Sequence, residues 1–143
     1  MLINGAGGAV GGYAVQLARG AGAHVIAVAG PGSGDRVKAR GADEVVDHTT
    51  AQVTTAVTEP VDVVLNLAAV APAELAALLT LIRPGGVLVN TTVWMPAPSD
   101  AGRDVRGIDL FVRSDAGQLS RLVAMVDREI GRASCRERVF SSV

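Results

Sequence analysis

The sequence predicts a doubly wound α/β domain, in which helices cover both faces of a mostly parallel, six-stranded sheet. Two observations predict it. Short apolar segments alternate with segments of helical spacing along the chain, and a glycine-rich loop directly follows the first apolar segment. The 143 residues amount to about one domain, and 49% of them are apolar, enough for a sizeable core. Right-handed crossovers then favour the strand order 3-2-1-4-5-6.

The first half of the chain contains three predicted strands and two predicted helices. The strands are short apolar segments bounded by glycine or charge, and the second is continuously apolar, as expected for a strand buried on both faces. Apolar residues at helical spacing that end at Gly20 predict the first helix, and Gly41 closes the second. We expect strands at residues 2–4, 24–29 and 44–47, and helices at residues 10–18 and 35–40.

The second half repeats the alternation. Pro72 stands in the first turn of a strong helix, where its missing N–H costs nothing, and either Ser114 or Asp115 caps the last helix. Leu119, Leu122, Val123 and Val126 lie on one face of that helix. We expect helices at residues 50–58, 73–82 and 115–128, strands at residues 61–67, 87–92 and 108–113, and a loop at residues 95–106.

Composition excludes several classes of protein. A net charge of −1 leaves no electrostatic footprint for nucleic acid or for an anionic membrane. The single cysteine, Cys135, excludes a disulfide framework and a multi-cysteine zinc site. No apolar run is long enough to span a membrane, and no basic segment followed by an apolar one marks a signal peptide. We therefore expect a cytoplasmic protein without a nucleic-acid or membrane partner.

Residues 129–143 differ in composition from the rest of the chain. They contain three arginines and the cysteine, and they continue neither the preceding helical period nor any strand pattern. Residues 129–139 resemble a translated sequencing adapter, so we expect a non-native tail at residues 129–143 after a domain at residues 1–128; the alternative is a disordered native tail.

The glycine-rich loop is placed where a phosphate site would be expected, between the first strand and the first helix. Glycines let the backbone approach a ligand closely, and the free N–H groups of a helix N-terminus favour a pyrophosphate. The loop reads A-x-G-x-x-G, with alanine where the dinucleotide fingerprint of the Rossmann fold has its first glycine. The predicted cofactor contacts here are Ala6, Gly8, Ala9, Val10 and Gly11. The alternative is a tight turn that binds no ligand.

Several segments together carry a family resemblance: INGAGGAVG at residues 3–11, AVQLAR at 14–19, GADEVVD at 41–47 and LIRPGG at 81–86. The chain resembles the cofactor-binding domain of the medium-chain dehydrogenase/reductase superfamily, in its zinc-independent quinone oxidoreductase-like branch. The resemblance implies a nicotinamide cofactor and hydride transfer to a small molecule such as a quinone or enone. It also implies a GroES-like catalytic domain that this chain lacks, so we assign no catalytic residue and no metal ligand. We expect cofactor binding with little turnover, and pairing of two copies through the sheet edge.

The end of the second strand bears on the choice of cofactor. NAD sites place a carboxylate there for the ribose hydroxyls, whereas this chain continues from Gly30 to Ser33 without one. Ser33, Arg36 and Lys38 could hold a 2′-phosphate, which predicts NADPH. In the alternative, Ser33 caps a helix and the two cations are solvated; Asp35 would also repel a phosphate.

Further cofactor contacts are expected at the carboxyl ends of the later strands, where such sheets bind ligands. The candidates are Leu67, Thr91, Thr92, Phe111, Val112 and Arg113, and the resemblance implies that the last two strand ends approach the nicotinamide. Packing or loop capping is the alternative for each. His24 and His48 are interpreted as ordinary strand-edge or loop residues.

Two other functions stay open at this point. An S-adenosylmethionine-dependent methyltransferase also has a glycine loop, and residues 83–88 resemble one of its segments, but it too calls for the missing carboxylate. A non-catalytic module that binds a dinucleotide is the alternative from a different class. The short-chain dehydrogenase pattern fails, because Tyr13 is followed four residues later by Leu17 and not by lysine.

Overall fold

The computed structural model describes residues 1–128, so the predicted non-native tail at 129–143 lies outside the described residues. Six strands form one sheet in the order β3-β2-β1-β4-β5-β6, and every neighbouring pair is parallel. The strands are β1 Leu2–Asn4, β2 Ile26–Ala29, β3 Glu44–Asp47, β4 Val61–Asn66, β5 Ile82–Asn90 and β6 Arg106–Asp109. The predicted Rossmann-type fold and strand order are confirmed.

Four helices connect strands, and a fifth follows β6. They are α1 Ala9–Gly20, α2 Gly34–Ala39, α3 Val53–Ala56, α4 Pro72–Leu78 and α5 Ala116–Asp127. Short 3-10 turns at Leu79–Leu81 and Ala101–Arg103 lead into β5 and β6. Within residues 1–128, no helix has both the length and the apolar character that a membrane crossing requires.

The central strands are buried on both faces, and this explains their continuous apolar runs. Leu2 and Ile3 follow each other in β1, are both fully buried, and belong to two separate core clusters. Leu2 packs with Val64 and Leu88, whereas Ile3 packs with Val15 of α1. The sheet thus has a core on each side, and its carboxyl edge remains open for a ligand.

Two predicted boundaries around the fifth strand are wrong. The helix expected at residues 73–82 ends at Leu78, and β5 starts at Ile82 instead of residue 87. Leu81 and Ile82 do continue the helical spacing, but both are buried in the core cluster, where Ile82 pairs with Val61. The strand passes through Gly85, whose φ of 80° an ordinary residue rarely adopts.

The sixth strand lies upstream of the predicted residues 108–113. Asp100 and Val105 exchange two backbone hydrogen bonds of 2.9 Å, and this turn returns the chain to the sheet so that Arg106 already pairs with Val87. The strand ends at Asp109, and residues 110–114 are exposed. Neither the start nor the end of β6 can be predicted from the local sequence, because the pairing with β5 determines both.

Two smaller boundaries also differ. The helix expected at 50–58 is reduced to Val53–Ala56, because Thr49 and Thr50 bond to Asp47 in a turn. The second strand begins at Ile26 rather than residue 24. Of the two capping candidates for α5, Asp115 is the cap, accepting a 2.8 Å bond from the N–H of Gln118.

Asp43 joins the ends of α1, β2 and β3. Its carboxylate accepts a 2.8 Å hydrogen bond from the Val25 N–H and a 2.7 Å bond from Arg19. The Val25 N–H, and then the charges of Arg19 and His24, lower the pKa of Asp43 below its ordinary value. A carboxyl group whose pKa is lower in the folded state than in the unfolded state stabilises the fold at pH values above the unfolded-state pKa. This contribution is therefore lost as the pH falls through the acidic range.

Arg103 ties the turn before β6 to the start of β5. Its guanidinium donates to Asp100 Oδ2 at 2.7 Å, to the Ile82 carbonyl at 3.0 Å and to the Leu79 carbonyl at 2.9 Å. The two carbonyls belong to the 3-10 turn and to the first residue of β5, and the Leu79 carbonyl also accepts a hydrogen bond from the Ile82 N–H.

We expect Arg103→Met to lower the free energy of unfolding by about 1–2 kcal/mol, because two carbonyls and a carboxylate lose a charged donor. Urea denaturation measures this. The matched control is Arg83→Met, which breaks only the exposed ion pair with Asp62 and should cost about 0.5 kcal/mol or less. Equal losses in the two variants would contradict the role given to Arg103.

Candidate functional site

An open cavity of about 940 Å³ lies at the carboxyl edge of the sheet, around the ends of β1 and β2. One wall is the glycine loop, with Gly5, Gly7 and Gly8. The opposite wall is formed by the residues after β3 and by α4. This is where an open parallel sheet binds its ligand, at the point where the strand order reverses.

The glycine loop owes its shape to two positions. Gly5 has a φ of 85°, and a Cβ on Gly11 would come within 2.5 Å of the Gly5 carbonyl oxygen and 2.6 Å of the Ala6 Cα. Helix α1 therefore starts in direct contact with the loop. Ala6, at the altered fingerprint position, is fully buried and donates its N–H to the Val28 carbonyl at 2.9 Å.

The N-terminus of α1 is left open toward solvent. Gly8 is the N-cap and provides no side-chain acceptor for the first N–H groups, and no acidic residue lies in the first turn. Ala9 and Val10 are exposed at this end. Uncapped N–H groups and the helix dipole together favour an anion at this position.

The predicted 2′-phosphate residues do not all reach the cavity. Gly30 and Ser33 line it, and the Ser33 hydroxyl donates to the Gly30 carbonyl at 3.0 Å. Arg36 extends back to the glycine loop, where its guanidinium lies 3.4 Å from the Gly7 carbonyl oxygen. Lys38 is exposed on α2 and takes no part in the lining. Ser33 occupies the N-cap position of α2, but its side chain caps no N–H there.

The wall after β3 was missed by sequence reasoning. His48 and the run from Thr49 to Val53 line the cavity, and Val70, Ala77 and Leu78 close the apolar side. His48, interpreted from the sequence as an ordinary loop residue, also lies beside Gly30. The signal that could have found it is its position at the carboxyl end of a parallel strand. Glu74 lies in the same lining, but its carboxylate accepts a 3.1 Å hydrogen bond from the Ala71 N–H.

A second, smaller hollow of about 170 Å³ lies at the ends of β5 and β6. Thr91, Thr92 and Phe111 line it together with Trp94, and both aromatic side chains are about 70% exposed. The other predicted residues lie apart from it. Leu67 is half-buried after β4, Val112 is exposed, and Arg113 is exposed with Asp115 at 3.9 Å.

Amide side chains cross the sheet between the two hollows, a feature that sequence reasoning also missed. Asn4, Asn66 and Asn90 are the last residues of β1, β4 and β5, they lie in register, and Asp109 of β6 follows in the same row. We call these four residues the amide row. All three asparagines are buried. The signal in the sequence is the asparagine that ends each of three apolar strands.

Comparison with known proteins agrees with this geometry. A family model described as zinc-binding dehydrogenase matches residues 9–117. The chain belongs to this family. The predicted family resemblance is thereby confirmed, and the chain corresponds to the family's nucleotide-binding domain, for which nicotinamide dinucleotides are the cofactors.

Relatives of the chain include quinone oxidoreductases. A chloroplastic quinone oxidoreductase from Triphysaria versicolor and a chloroplast envelope quinone oxidoreductase homolog from Arabidopsis thaliana are each 52% identical over 50 residues, which is 35% of this chain and 15% of each plant protein. The solved quinone oxidoreductase from Coxiella burnetii is 25% identical with a TM-score of 0.78. The match covers 90% of this chain and 41% of that protein, so the chain spans less than half the length of these relatives.

The family's name mentions zinc, and the described residues do not fit a zinc site. Among residues 1–128, no three His, Cys, Asp or Glu side chains are grouped so that they could hold a metal ion. The cavity fits a nicotinamide dinucleotide better, since a close backbone approach, an uncapped helix end and an apolar wall occur together.

We expect Gly11→Ala to lower the free energy of unfolding by about 1–3 kcal/mol, because its methyl group would push α1 away from Gly5 and Ala6. Thermal or urea denaturation checks this. Gly20→Ala at the other end of α1 is the control. No atom lies within 4 Å of where the new Cβ would stand, so the stability should stay level or rise. A neutral Gly11→Ala would refute the close contact.

Proposed function

We propose that this chain binds NADPH in the large cavity, as the nucleotide-binding part of an oxidoreductase. The observation that carries the proposal is the uncapped start of α1, which packs so closely on the glycine loop that a Cβ at Gly11 would collide with Gly5 and Ala6. Such an arrangement leaves room for a pyrophosphate and supplies N–H donors to it. The phosphates would lie against Gly7, Gly8 and the first turn of α1.

The choice of NADPH over NADH rests on charge at the end of β2. From Gly30 to Gly34 the chain carries no carboxylate that could bind ribose hydroxyls. Arg36 lies within 3.4 Å of the Gly7 carbonyl, beside the cavity wall formed by Gly30 and Ser33. A guanidinium there would pair with a 2′-phosphate. Lys38 contributes only long-range charge, because it points into solvent.

The adenine and the nicotinamide would occupy opposite ends of the site. The apolar side formed by Val53, Val70 and Leu78 suits an adenine ring, and His48 stands beside it. The second hollow, with Thr91, Thr92 and Phe111, would receive the nicotinamide. Bound NADPH would supply the hydride, while the chain's residues hold and orient the cofactor.

The acceptor of the hydride is proposed to be a small carbonyl compound such as a quinone or enone. The names of the plant and Coxiella relatives support this class. Two copies would pair through β6, whose outer edge carries no partner strand within residues 1–128 and presents the exposed Ile108. A cytoplasmic location stays a prediction.

We expect NADPH to bind at least roughly tenfold more tightly than NADH, and Arg36→Gln to remove most of that difference, because a charged hydrogen bond is lost. Isothermal titration calorimetry with both cofactors measures it. Arg83→Gln, at the amino end of β5, is the matched control and should leave both dissociation constants unchanged. Tighter binding of NADH would contradict the choice of cofactor, and binding of neither cofactor would contradict the proposed function.

We further expect little steady-state oxidation of NADPH by a quinone with this chain alone, since the solved relative that it matches is more than twice as long. Absorbance of the reduced nicotinamide gives the rate. Sustained turnover would show that residues 1–143 suffice for the reaction. Cofactor binding without any turnover would fit the non-catalytic module equally well.

A further inference from the structure

The amide row has a direction. Asn4 donates from Nδ2 to Asn66 Oδ1 at 2.8 Å, and Asn66 donates from Nδ2 to Asn90 Oδ1 at 2.9 Å. Asn90 Nδ2 lies 3.4 Å from Asp109 Oδ1, so every amide points its donor toward β6 and its acceptor toward β1.

Asn90 fixes this direction. The Nδ2 atom of Asn90 faces only acceptors: the Met95 carbonyl at 2.7 Å, the Thr92 carbonyl at 3.1 Å and the Asp109 carboxylate. Its Oδ1 atom accepts a 2.8 Å hydrogen bond from the Thr92 hydroxyl. Turning this amide over would set an oxygen against two carbonyls and a carboxylate in a buried position, which is strongly unfavourable.

The fixed orientation passes to the other amides. Because Asn90 presents Oδ1 to Asn66, Asn66 must present Nδ2, and that same Nδ2 also donates to the Ala68 carbonyl at 3.1 Å. Asn66 therefore presents Oδ1 to Asn4, which answers with its own Nδ2. The Oδ1 atom of Asn4 is left over, and among residues 1–128 it accepts no hydrogen bond. Asn4 is only 8% exposed and lies in the wall of the large cavity.

We propose that Oδ1 of Asn4 accepts a hydrogen bond from one of the unphosphorylated ribose hydroxyls of the bound dinucleotide, and that Asn66 and Asn90 are positioning residues that hold it in place. The inference rests on the proposed dinucleotide site. A phosphate offers only acceptors, so it gains nothing from a carbonyl oxygen, whereas a hydroxyl can donate to it. An amide that could rotate would present its Nδ2 to a phosphate or its Oδ1 to a hydroxyl. Because the Asn4 amide is fixed with Oδ1 toward the cavity, it favours a hydroxyl.

The test uses Asn4→Asp, because a carboxyl group can replace the amide only when it is protonated. The protonated group donates O–H to Asn66 Oδ1 and keeps a carbonyl oxygen for the ligand. The ionised group sets an oxygen against Asn66 Oδ1, and burial with this contact raises the pKa of the introduced carboxyl. A raised pKa means that stability relative to wild type falls as the pH rises.

We therefore expect the thermal midpoint of Asn4→Asp to approach the wild-type value near about pH 5 and to fall below it by about pH 8. The affinity for NADP⁺, which is stable in acid, should follow the same course relative to wild type, with a loss of about tenfold or more at the higher pH. If the amides turn freely, Asn66 would donate Nδ2 to the new carboxylate and the variant would be most stable at high pH. That result would overturn the proposal.

Two further variants keep the outcome interpretable. Asn4→Ala removes the acceptor without introducing a titrating group, so NADP⁺ affinity should drop roughly threefold to tenfold at every pH. Val61→Ala deletes core volume at the opposite end of β4 and should lower the thermal midpoint without changing affinity. Full NADP⁺ affinity in Asn4→Ala would overturn the role of the acceptor.

The proposed function fails separately. If the wild-type chain binds neither NADP⁺ nor NADPH, the ligand role of Asn4 falls with the proposed function. The pH course of the stability of Asn4→Asp would then still show whether the row has one direction.

Discussion

The contact between the start of α1 and the glycine loop is the constraint on which the site depends. Gly11 packs its backbone against Gly5 and Ala6 at a distance that excludes any side chain. That contact places the helix end over the end of β1 and sets the floor of the cavity. The alanine at the first fingerprint position is tolerated because Ala6 points into the core, where a methyl group fits, and not toward the ligand.

Few free carboxylates lie at the strand ends around the cavity. No carboxylate follows β2, and the acidic residues nearest the cavity are engaged elsewhere: Glu74 bonds the Ala71 N–H and Asp47 bonds Thr49. Hydrogen bonds from the Thr49 side chain, and then from its N–H, lower the pKa of Asp47, so it stays ionised within its own turn. On α2 itself Asp35 opposes a phosphate, so the proposed attraction for a phosphorylated ribose depends on Arg36, whose guanidinium lies 3.4 Å from the Gly7 carbonyl oxygen.

The carboxyl edge combines rigid and exposed parts. The amide row joins the ends of β1, β4 and β5 with buried, oriented hydrogen bonds, and a part-buried contact of 3.4 Å reaches Asp109 of β6. The loops that line both hollows start from these strand ends. Beyond β6 the chain is exposed, and the predicted apolar face of α5 packs on no core within residues 1–128, since Leu119, Leu122 and Val123 are all exposed. The cofactor side is thus built into the sheet, whereas several large apolar side chains between residues 108 and 123 are exposed within the described part of the chain.

The sequence alone determined the fold, the strand order and the glycine loop, because apolar runs, helical spacing and glycines are local signals that each short segment carries. It also predicted Ser33 and Arg36 as cofactor contacts, and the structure places Ser33 in the cavity wall and Arg36 on α2 with its guanidinium 3.4 Å from the Gly7 carbonyl oxygen. Only the tertiary structure decided where β5 begins and where β6 lies, since pairing with a neighbouring strand sets those limits. It alone also brought His48 into the cavity wall and aligned Asn4, Asn66 and Asn90. Their alignment depends on the register between strands that are distant in sequence, and no local pattern encodes that register.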